Sequence, residues 1–232
     1  MYILTLKTLK GFDVKADLHL HSIYSHDAIS KPHSVLAAAA DRGIGIIAIT
    51  DHDTTAGWAD FKNLEHQFPV QIVYGQEIKI YYQGRCTGEI LGLFLEKPII
   101  SHDLPEVLQE IRQQNGIASI AHPFSERRNE FLAWTEIDSW DKLAIESRNA
   151  RTYNKRENEM AAGLAERLSA PITAGSDAHT PFEVGNVYLE FSGKSVNDLK
   201  KAILNRDAKA GGQPSSALFS VISGFGRLGI AV

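Results

Sequence analysis

Asp17-Leu18-His19-Leu20-His21 alternates polar and apolar residues near the start of this 232-residue chain. In an extended strand successive side chains point to opposite faces, so Asp17, His19 and His21 share one face and the two leucines occupy the other. Two imidazoles that project side by side can bind one metal ion. The segment therefore predicts a strand with a metal site at its end.

Three further clusters place a histidine after an apolar run, at 50–53 (Thr-Asp-His-Asp), 121–123 (Ala-His-Pro) and 175–179 (Gly-Ser-Asp-Ala-His). The same alternation puts Asp177 and His179 on one face, far along the chain from His19. Only a closed fold can bring such distant pairs together, and their joint composition predicts a site for several metal ions. The remaining histidines, His26, His33, His66 and His102, stand outside the clusters and are expected to be ordinary surface or core residues.

Composition is that of a globular protein, with 44% hydrophobic and 22% charged residues, and the length favours one domain over 1–232. The formal charge of -4 argues against a protein that holds nucleic acid mainly by a basic surface. Cys86 is the single cysteine, which excludes an internal disulfide framework and a cysteine-rich zinc module. We therefore expect a reducing, cytoplasmic setting.

Neither end of the chain predicts membrane association. Residues 1–10 lack the apolar core and cleavage site of a signal peptide, and no stretch approaches the roughly 20 apolar residues of a membrane-spanning helix. Residues 205–232 form a C-terminal extension, with a predicted loop at 211–216. Glycines interrupt any amphipathic face beyond that loop, so we expect a packed segment rather than a membrane anchor.

Short apolar runs alternate with helix-forming stretches along the chain. The runs predict strands at 14–21, 44–50, 70–77, 78–82, 89–94, 117–121, 142–146, 171–174 and 187–191. Helices are predicted from a Ser30 cap to Arg42, and at 55–66, 104–114, 126–134, 152–168 and 195–204. The glycines of 83–88 indicate a hairpin between two of the strands.

Repeated strand-helix units favour a parallel sheet with outer helices, and about seven units over about 200 residues suit a closed barrel. An open doubly wound sheet is the alternative, but it would concentrate its site at one crevice. Each histidine cluster instead follows its own predicted strand, as active-site residues of barrels do. The sequence thus predicts an α/β barrel.

The ordered set of motifs resembles the PHP family, named for polymerase and histidinol phosphatase. The resemblance spans about 16–187. It rests on the clusters above together with Ser25-His26-Asp27 and Gly75-Gln76-Glu77. It implies a metal-dependent phosphoesterase on a distorted (β/α)7 TIM-like barrel.

The resemblance also implies ligands for two or three divalent metal ions. His19, His21, Glu77 and Asp177 look like ligands of one ion, and Asp27, His52 and His179 like ligands of a second. A third ion would be held by Glu77, His122 and Glu89. Many relatives carry histidine at the last position, so Glu89 puts the third ion in question.

Imidazole and carboxylate ligands without thiolate suit manganese, zinc or iron, and affinity order alone does not choose among them. Such ions would activate a water for in-line attack on phosphorus. Asp51, Asp53 or His179 could then move protons to the leaving group. The sequence leaves these three roles open.

Arginine matches the paired oxygens of a phosphate, so Arg127, Arg128, Arg148 and Arg151 are candidate substrate-binding residues, with Arg151 preferred. A solvated helix face is the competing interpretation. Ser22 could meet the substrate phosphate or cap its turn. Asp17 is expected to orient a liganding histidine. Phe124, Trp134 and Trp140 could stack on a base, although core packing is favoured.

The leading hypothesis is hydrolysis of a phosphorylated small molecule or nucleotide, such as a 3',5'-bisphosphate, or of a short oligonucleotide. Histidinol phosphate is an alternative substrate. A non-catalytic, metal-stabilised module in a larger complex is the second hypothesis, although such modules tend to lose ligands. An amidohydrolase-type enzyme is the third, and Lys79 is the only lysine placed for it. No sequence feature specifies an oligomeric state.

Overall fold

The computed structural model describes residues 13–128, 130–137, 139–140, 142–224 and 231–232. The prediction for 1–10 and part of the prediction for 205–232 lie outside these residues. No helix within the described ranges is both long enough and apolar enough to cross a bilayer.

Nine strands of the described residues form one sheet, in the spatial order β7-β6-β5-β4-β3-β2-β1-β8-β9. The strands are β1 (Asp13–Asp17), β2 (Ile46–Ile49), β3 (Gln71–Tyr82), β4 (Arg85–Leu93), β5 (Ile117–Ile120), β6 (Leu143–Asn149), β7 (Ile172–Gly175), β8 (Val187–Ser192) and β9 (Lys209–Gly212). Parallel pairs join β1 to β2, β2 to β3, β5 to β6 and β6 to β7. The β3/β4 and β4/β5 pairs are antiparallel, because the predicted hairpin inserts β4 into the sheet.

The sheet curls into a nearly closed barrel, because β1 shares its second edge between two strands. Over Asp13 to Ala16 this edge pairs antiparallel with β8. Beyond that point Leu18 N donates to Ala174 O at the end of β7 (3.2 Å), and Leu20 pairs in parallel with Ala178. The expected distorted barrel is confirmed, and the exits of β1 and β7 lie side by side.

Six α-helices accompany the strands in the described part of the chain: α1 (Pro32–Asp41), α2 (Trp58–Leu64), α3 (Leu104–Gln113), α4 (Lys155–Leu168), α5 (Val196–Asn205) and α6 (Leu218–Ser223). Pro32 begins α1, as its fixed φ favours, but the N-cap is Lys31 rather than Ser30. Ser195 caps α5 through a reciprocal capping box with Asp198.

Two further local predictions are wrong. Residues 126–134 were expected to be helical, but the described residues of this segment form a loop that leads into a 3-10 turn at Ala133–Glu136. Its backbone bonds elsewhere, with Phe131 N donating to Pro123 O (3.1 Å) and Leu132 N to Thr87 O (2.7 Å). The predicted loop at 211–216 begins inside β9, which pairs with β8. The glycines of this segment favoured a loop and gave no sign of the pairing.

One apolar cluster joins the strands to α5 beneath the site. The polar clusters lie just past this core, where β1, β2, β5 and β7 end. Glu77 and Glu89 differ, because they lie inside β3 and β4, which extend beyond their neighbours. His52 pairs in parallel with Glu77, so the long hairpin reaches the same level as the strand exits.

Candidate metal centre

The most deeply buried group of ligand atoms comes from the exits of β1 and β7 and from β3. His19 Nε2 lies 3.2 Å from His21 Nε2 and 3.3 Å from Glu77 Oε1. His21 Nε2 lies 3.4 Å from Asp177 Oδ1 and 3.3 Å from Glu77 Oε2. These four side chains are 0–1% exposed. We call them the interior group.

A second group lies towards the rim of the barrel. Asp27 Oδ1 is 3.6 Å from His52 Nε2 and 3.5 Å from His179 Nε2. The side chains of His52 and Asp27 are 14% and 20% exposed, so solvent reaches this group. His21 links it to the interior group, because ring nitrogens of His21, His52 and His179 also lie within 4.8 Å of one another. We call Asp27, His52 and His179 the rim group.

Glu77 also belongs to a third group. Its Oε1 lies 3.2 Å from His122 Nε2, which is 3.4 Å from Glu89 Oε2. Glu77 therefore touches all three sets of ligand atoms, since its Oε2 also lies 2.9 Å from His52 Nδ1. The structure brings together every residue expected as a ligand: His19, His21, Asp27, His52, Glu77, Glu89, His122, Asp177 and His179.

Divalent metal ions fit this donor set. Glu77 Oε2 and Asp27 Oδ1 are buried, and only histidine nitrogens of the ligand groups approach them, without forming a well-aligned hydrogen bond. Burial and the neighbouring Glu77 carboxylate raise the pKa of Glu89. Buried carboxylates packed against one another need compensating positive charge, and nitrogen and oxygen donors alone suit borderline or hard cations.

Without such ions, protons supply part of the positive charge. Burial lowers the pKa of His19, but the carboxylates of Glu77 and Glu146 outweigh it and raise that pKa to about 10. For His52, burial is likewise outweighed, chiefly by Glu77, and the pKa rises to about 9. Burial and the Arg151 charge lower the pKa of His179 to about 3, so this imidazole is neutral and suited to be a ligand.

Local backbone geometry aims the ligands. His122 and Asp177 have positive φ values of 24° and 54°, which are sparsely populated for residues other than glycine. Such conformations collect at functional sites, where surrounding structure holds them. A Cβ atom at Gly175 would collide with His19, so glycine at this position permits the close approach of β1 and β7.

Two residues of β6 support the interior group, and the sequence analysis missed both. Glu146 Oε1 lies 2.9 Å from His19 Nδ1, while its Oε2 accepts a hydrogen bond from His122 N (2.7 Å). Asn149 Nδ2 donates to Glu146 Oε2 (3.1 Å) and to Asp177 Oδ2 (2.9 Å). The available signal was a glutamate that ends the apolar run Leu-Ala-Ile at 143–145.

Asp17 does not orient a histidine ring, contrary to expectation. Its carboxylate accepts hydrogen bonds from Ser176 Oγ (2.5 Å), Ser176 N (2.8 Å) and Gly185 N (2.8 Å). Burial raises the pKa of Asp17 to about 6, although these hydrogen bonds oppose the rise. Asp17 thus holds the loop that carries Asp177, and Glu146 takes the role expected of Asp17.

The expected acid-base residues Asp51 and Asp53 lie outside the three ligand groups. Asp51 is buried and accepts from Ser22 N (2.7 Å), Ser22 Oγ (2.8 Å) and Ser25 Oγ (2.8 Å). Asp53 is exposed and accepts from Lys79 N (2.9 Å). The Ser22 hydroxyl therefore stabilises the turn that contains it, by donating to Asp51.

The four arginines have different surroundings. Arg128 donates to Asp177 Oδ2 and so reaches the metal centre. Arg151 is instead paired with buried Glu183 at 2.8 Å. The remaining two lie at other contacts, with Arg148 Nη1 donating to Gly212 O (3.2 Å) and the Arg127 guanidinium lying 5.5 Å from the centre of the Tyr153 ring.

The three aromatic residues considered for base stacking, Phe124, Trp134 and Trp140, pack on one another. Trp134 stacks between Phe124 and Trp140, with ring centroids 5.9 and 6.3 Å apart. Both tryptophans also pack against a buried apolar cluster. This arrangement agrees with the favoured expectation of core packing.

Comparisons with known proteins identify the family. The PHP domain family matches residues 17–170, and the PHP-associated family matches 155–208. The uncharacterized protein MJ0417 of Methanocaldococcus jannaschii is 31% identical over 185 residues, which are 77% of this chain and 71% of that protein. The 3',5'-nucleoside bisphosphate phosphatase of Chromobacterium violaceum is 35% identical over 106 residues, or 43% of this chain and 36% of the phosphatase.

Comparison with solved structures finds a similar fold in a PHP-like protein. A crystal structure of a two-domain protein from Bacteroides vulgatus, which contains a predicted PHP-like metal-dependent phosphoesterase, superposes with a TM-score of 0.72 at 17% sequence identity. The superposition covers 88% of this chain and 66% of that one, and it shows a shared fold. From the family match and the assembled ligand groups, the chain belongs to the PHP domain family and is a metal-dependent phosphoesterase.

Proposed function

We propose that the chain hydrolyses a phosphate ester of a small, nucleotide-like molecule at a centre of two or three divalent ions. One observation carries the proposal: three overlapping sets of ligand atoms surround the single carboxylate of Glu77. A lone structural ion would need only one such set. Adjacent ions suit phosphate esters, because their positive charge attracts phosphate oxygens.

The interior and rim groups would each hold one ion. The third ion depends on Glu89, whose carboxylate makes that site richer in oxygen than one built on histidine. When bound, the ions would supply positive charge for the phosphate and a water whose pKa falls from about 15.7 towards about 7. Manganese, zinc and iron remain the candidate ions, because all three accept imidazole and carboxylate.

Arg128 is the proposed phosphate-binding residue. It is the candidate arginine whose guanidinium lies against Asp177, and its side chain is 23% exposed, so it faces both the centre and solvent. A guanidinium can pair with two phosphate oxygens at once. We expect Arg128 to exchange its contact with Asp177 for the substrate phosphate.

Proton transfer is assigned by elimination among the three candidates. His179 Nδ1 is hydrogen-bonded to Asp177 O (2.8 Å), which directs Nε2 towards Asp27 as a ligand. Both carboxylate oxygens of Asp51 accept hydrogen bonds from Ser22 and Ser25, so Asp51 would act as a positioning residue for that turn. Exposed Asp53 is therefore our candidate for protonating the leaving group.

Similarity to the nucleoside bisphosphate phosphatase supports a phosphorylated nucleotide as the substrate class. Short RNA and histidinol phosphate are the alternatives to be compared. A non-catalytic module is disfavoured, because all the expected ligand positions carry metal-binding side chains that converge. The single unpaired Cys86 suits a cytoplasmic setting.

The test combines elemental analysis with phosphate release from a nucleoside 3',5'-bisphosphate, short RNA, histidinol phosphate and p-nitrophenyl phosphate. We expect two or three ions per chain and preferential release from the bisphosphate. Arg128→Met should raise KM at least about tenfold, whereas Arg127→Met, a matched change of an exposed neighbour, should leave KM unchanged. Full metal content with no turnover of any compound would contradict the proposal.

A further inference from the structure

Residues beyond β9 lie against the loops that carry the rim group. Ser215 N donates to Ala150 O (2.8 Å) at the exit of β6, and Asn186 Nδ2 donates to Ser215 Oγ (2.9 Å). The chain then enters α6, where Phe219 stacks on Phe182 with ring centroids 6.2 Å apart. These contacts bring α6 beside the loop between β7 and β8.

A buried ion pair connects α6 to the loop of His179. Arg151 Nη2 donates to Ser223 Oγ on α6 (2.9 Å) and to Phe219 O (3.4 Å), while its Nε donates to Glu183 Oε1 (2.8 Å). The other oxygen of Glu183 accepts from His179 N (3.2 Å) and from Thr180 N (3.1 Å). Glu183 is fully buried, and the Arg151 side chain is 8% exposed.

A short backbone ladder makes a second connection. Val232 N donates to Ile29 O and Lys31 N donates to Val232 O, both at 2.7 Å. Ile29 N in turn donates to His179 O (2.9 Å). The loop of Asp27 is thus held between Val232 on one side and the His179 loop on the other.

The interior group has different support. His19 is held by Glu146, and Asp177 by Asn149, both on β6. The contacts of α6 and Val232 described above reach the Asp27 loop, the Arg151 side chain and the part of the β7–β8 loop that follows Asp177. Arg151 also donates its backbone N–H to Asn149 Oδ1 (2.9 Å), and that bond does not depend on its side chain. A disturbance of these contacts should therefore move Asp27 and His179 and leave His19 and Asp177 in place.

We propose that α6 and Val232 form a clamp that positions Asp27 and His179 and sets the affinity of the rim group for its ion. Arg151 and Glu183 are its central positioning residues, rather than Arg151 being a phosphate ligand. The proposal rests on the proposed function in one respect, which is that the rim group holds an ion of its own. Outer residues of this kind typically change metal affinity by about 10- to 100-fold.

The test measures stepwise binding of Mn²⁺ to the metal-free 232-residue chain by calorimetry, without reference to turnover. In Arg151→Met the weaker binding step should lose about 10- to 100-fold in affinity while the tighter step stays unchanged. Arg151→Lys should restore part of the loss, because it returns the charge to Glu183. Arg156→Met, an exposed arginine on α4, is the matched control and should change neither step.

Ser223→Ala is a milder variant that keeps the buried ion pair, so it answers the question if Arg151→Met does not fold. It should weaken the same step by a few-fold. Equal weakening of both steps, unchanged affinity in both variants, or a wild-type chain with one binding step would each overturn the clamp. Wild-type chain that binds its ions in two steps but releases no phosphate would instead overturn the proposed function alone.

Discussion

The interior group and the rim group use the same kinds of ligand but differ in burial and support. His19, Glu77 and Asp177 are at most 1% exposed, whereas His52 and Asp27 are 14% and 20% exposed. Strand β6 supplies hydrogen bonds that orient interior ligands. The rim ligands lie on loops whose positions depend on one another and on α6.

The difference indicates that the barrel preorganises the interior ligands more than the rim ligands. Ligands fixed by strands and outer hydrogen bonds pay little ordering cost when an ion binds. Loop ligands near solvent must be ordered more, and so bind less tightly. We therefore expect a tight interior site and a weaker rim site that solvent and substrate can reach.

Loss of an interior ligand should have the largest effect. Asp177→Asn removes a carboxylate that touches both His21 and Asn149, and it should lower kcat/KM at least about a thousandfold, or about 4 kcal/mol in activation free energy. Steady-state phosphate release measures the loss of turnover, and elemental analysis measures the metal content. Asp207→Asn changes an exposed aspartate and should behave as wild type. Near-normal turnover with full metal content in Asp177→Asn would refute the assigned centre.

A rim change should separate the two sites. Asp27→Asn should abolish or weaken binding of the rim ion and lower kcat/KM by about a hundredfold, while the interior ion remains bound. Elemental analysis after dialysis counts the ions that stay. Loss of every ion from this variant would show that the two groups form one inseparable site.

A change in β6 should act on the interior site indirectly. Glu146→Gln weakens the hydrogen bond that orients His19, and it should reduce affinity at the tight step by about 10- to 100-fold. Competition with a chelator measures this affinity. Glu166→Gln, on the exposed face of α4, is the control. An effect confined to the weaker step would reverse the assignment of the two sites.

Metal binding should depend moderately on pH. His19 and His52, with pKa values of about 10 and about 9 in the metal-free protein, are protonated at pH 7.5 and must lose protons to become ligands. Ion binding should release about two protons, and apparent affinity should rise with pH up to about 10, where both histidines have lost their protons. Calorimetry in buffers of different ionisation enthalpy counts these protons. A release of none would contradict the assigned protonation states.

The same pKa values affect stability. Because folding raises the pKa of both histidines above 6.5, their contribution to the metal-free fold is complete below about pH 6.5 and is lost as pH rises through 9 to 10. Thermal unfolding of the metal-free chain should therefore shift to lower temperature across that range. Added metal should abolish the shift, because it replaces the protons.

Sequence periodicity could predict the clustered histidines and Asp177, because the strand exits fix their positions, whereas Asp27, Glu77 and Glu89 were expected as ligands only from the resemblance to the PHP family. Alternation placed His19 and His21 on one face, and the apolar run before His122 placed it at a barrel exit. Contacts between distant strands could not be read in this way, so Glu146 was overlooked and its role was given to Asp17. That pairing exists only once β1, β6 and β7 close around the centre.

Long side chains were harder to assign. Arg128 and Arg151 both follow strands at the same end of the barrel, but their flexible stems allow several directions. Arg151 turns to buried Glu183, which lies far away in sequence, and Arg128 turns to Asp177. The loop around Arg128 was expected to be helical, because the sequence does not reveal its backbone bonds to Pro123 and Thr87.

Calorimetric titration of the metal-free wild-type chain with Mn²⁺ tests the central claim most directly. A multinuclear centre with unequal halves predicts two or three ions per chain, bound in at least two steps of different affinity. Binding of a single ion in one step would contradict the division of the ligands into interior and rim groups.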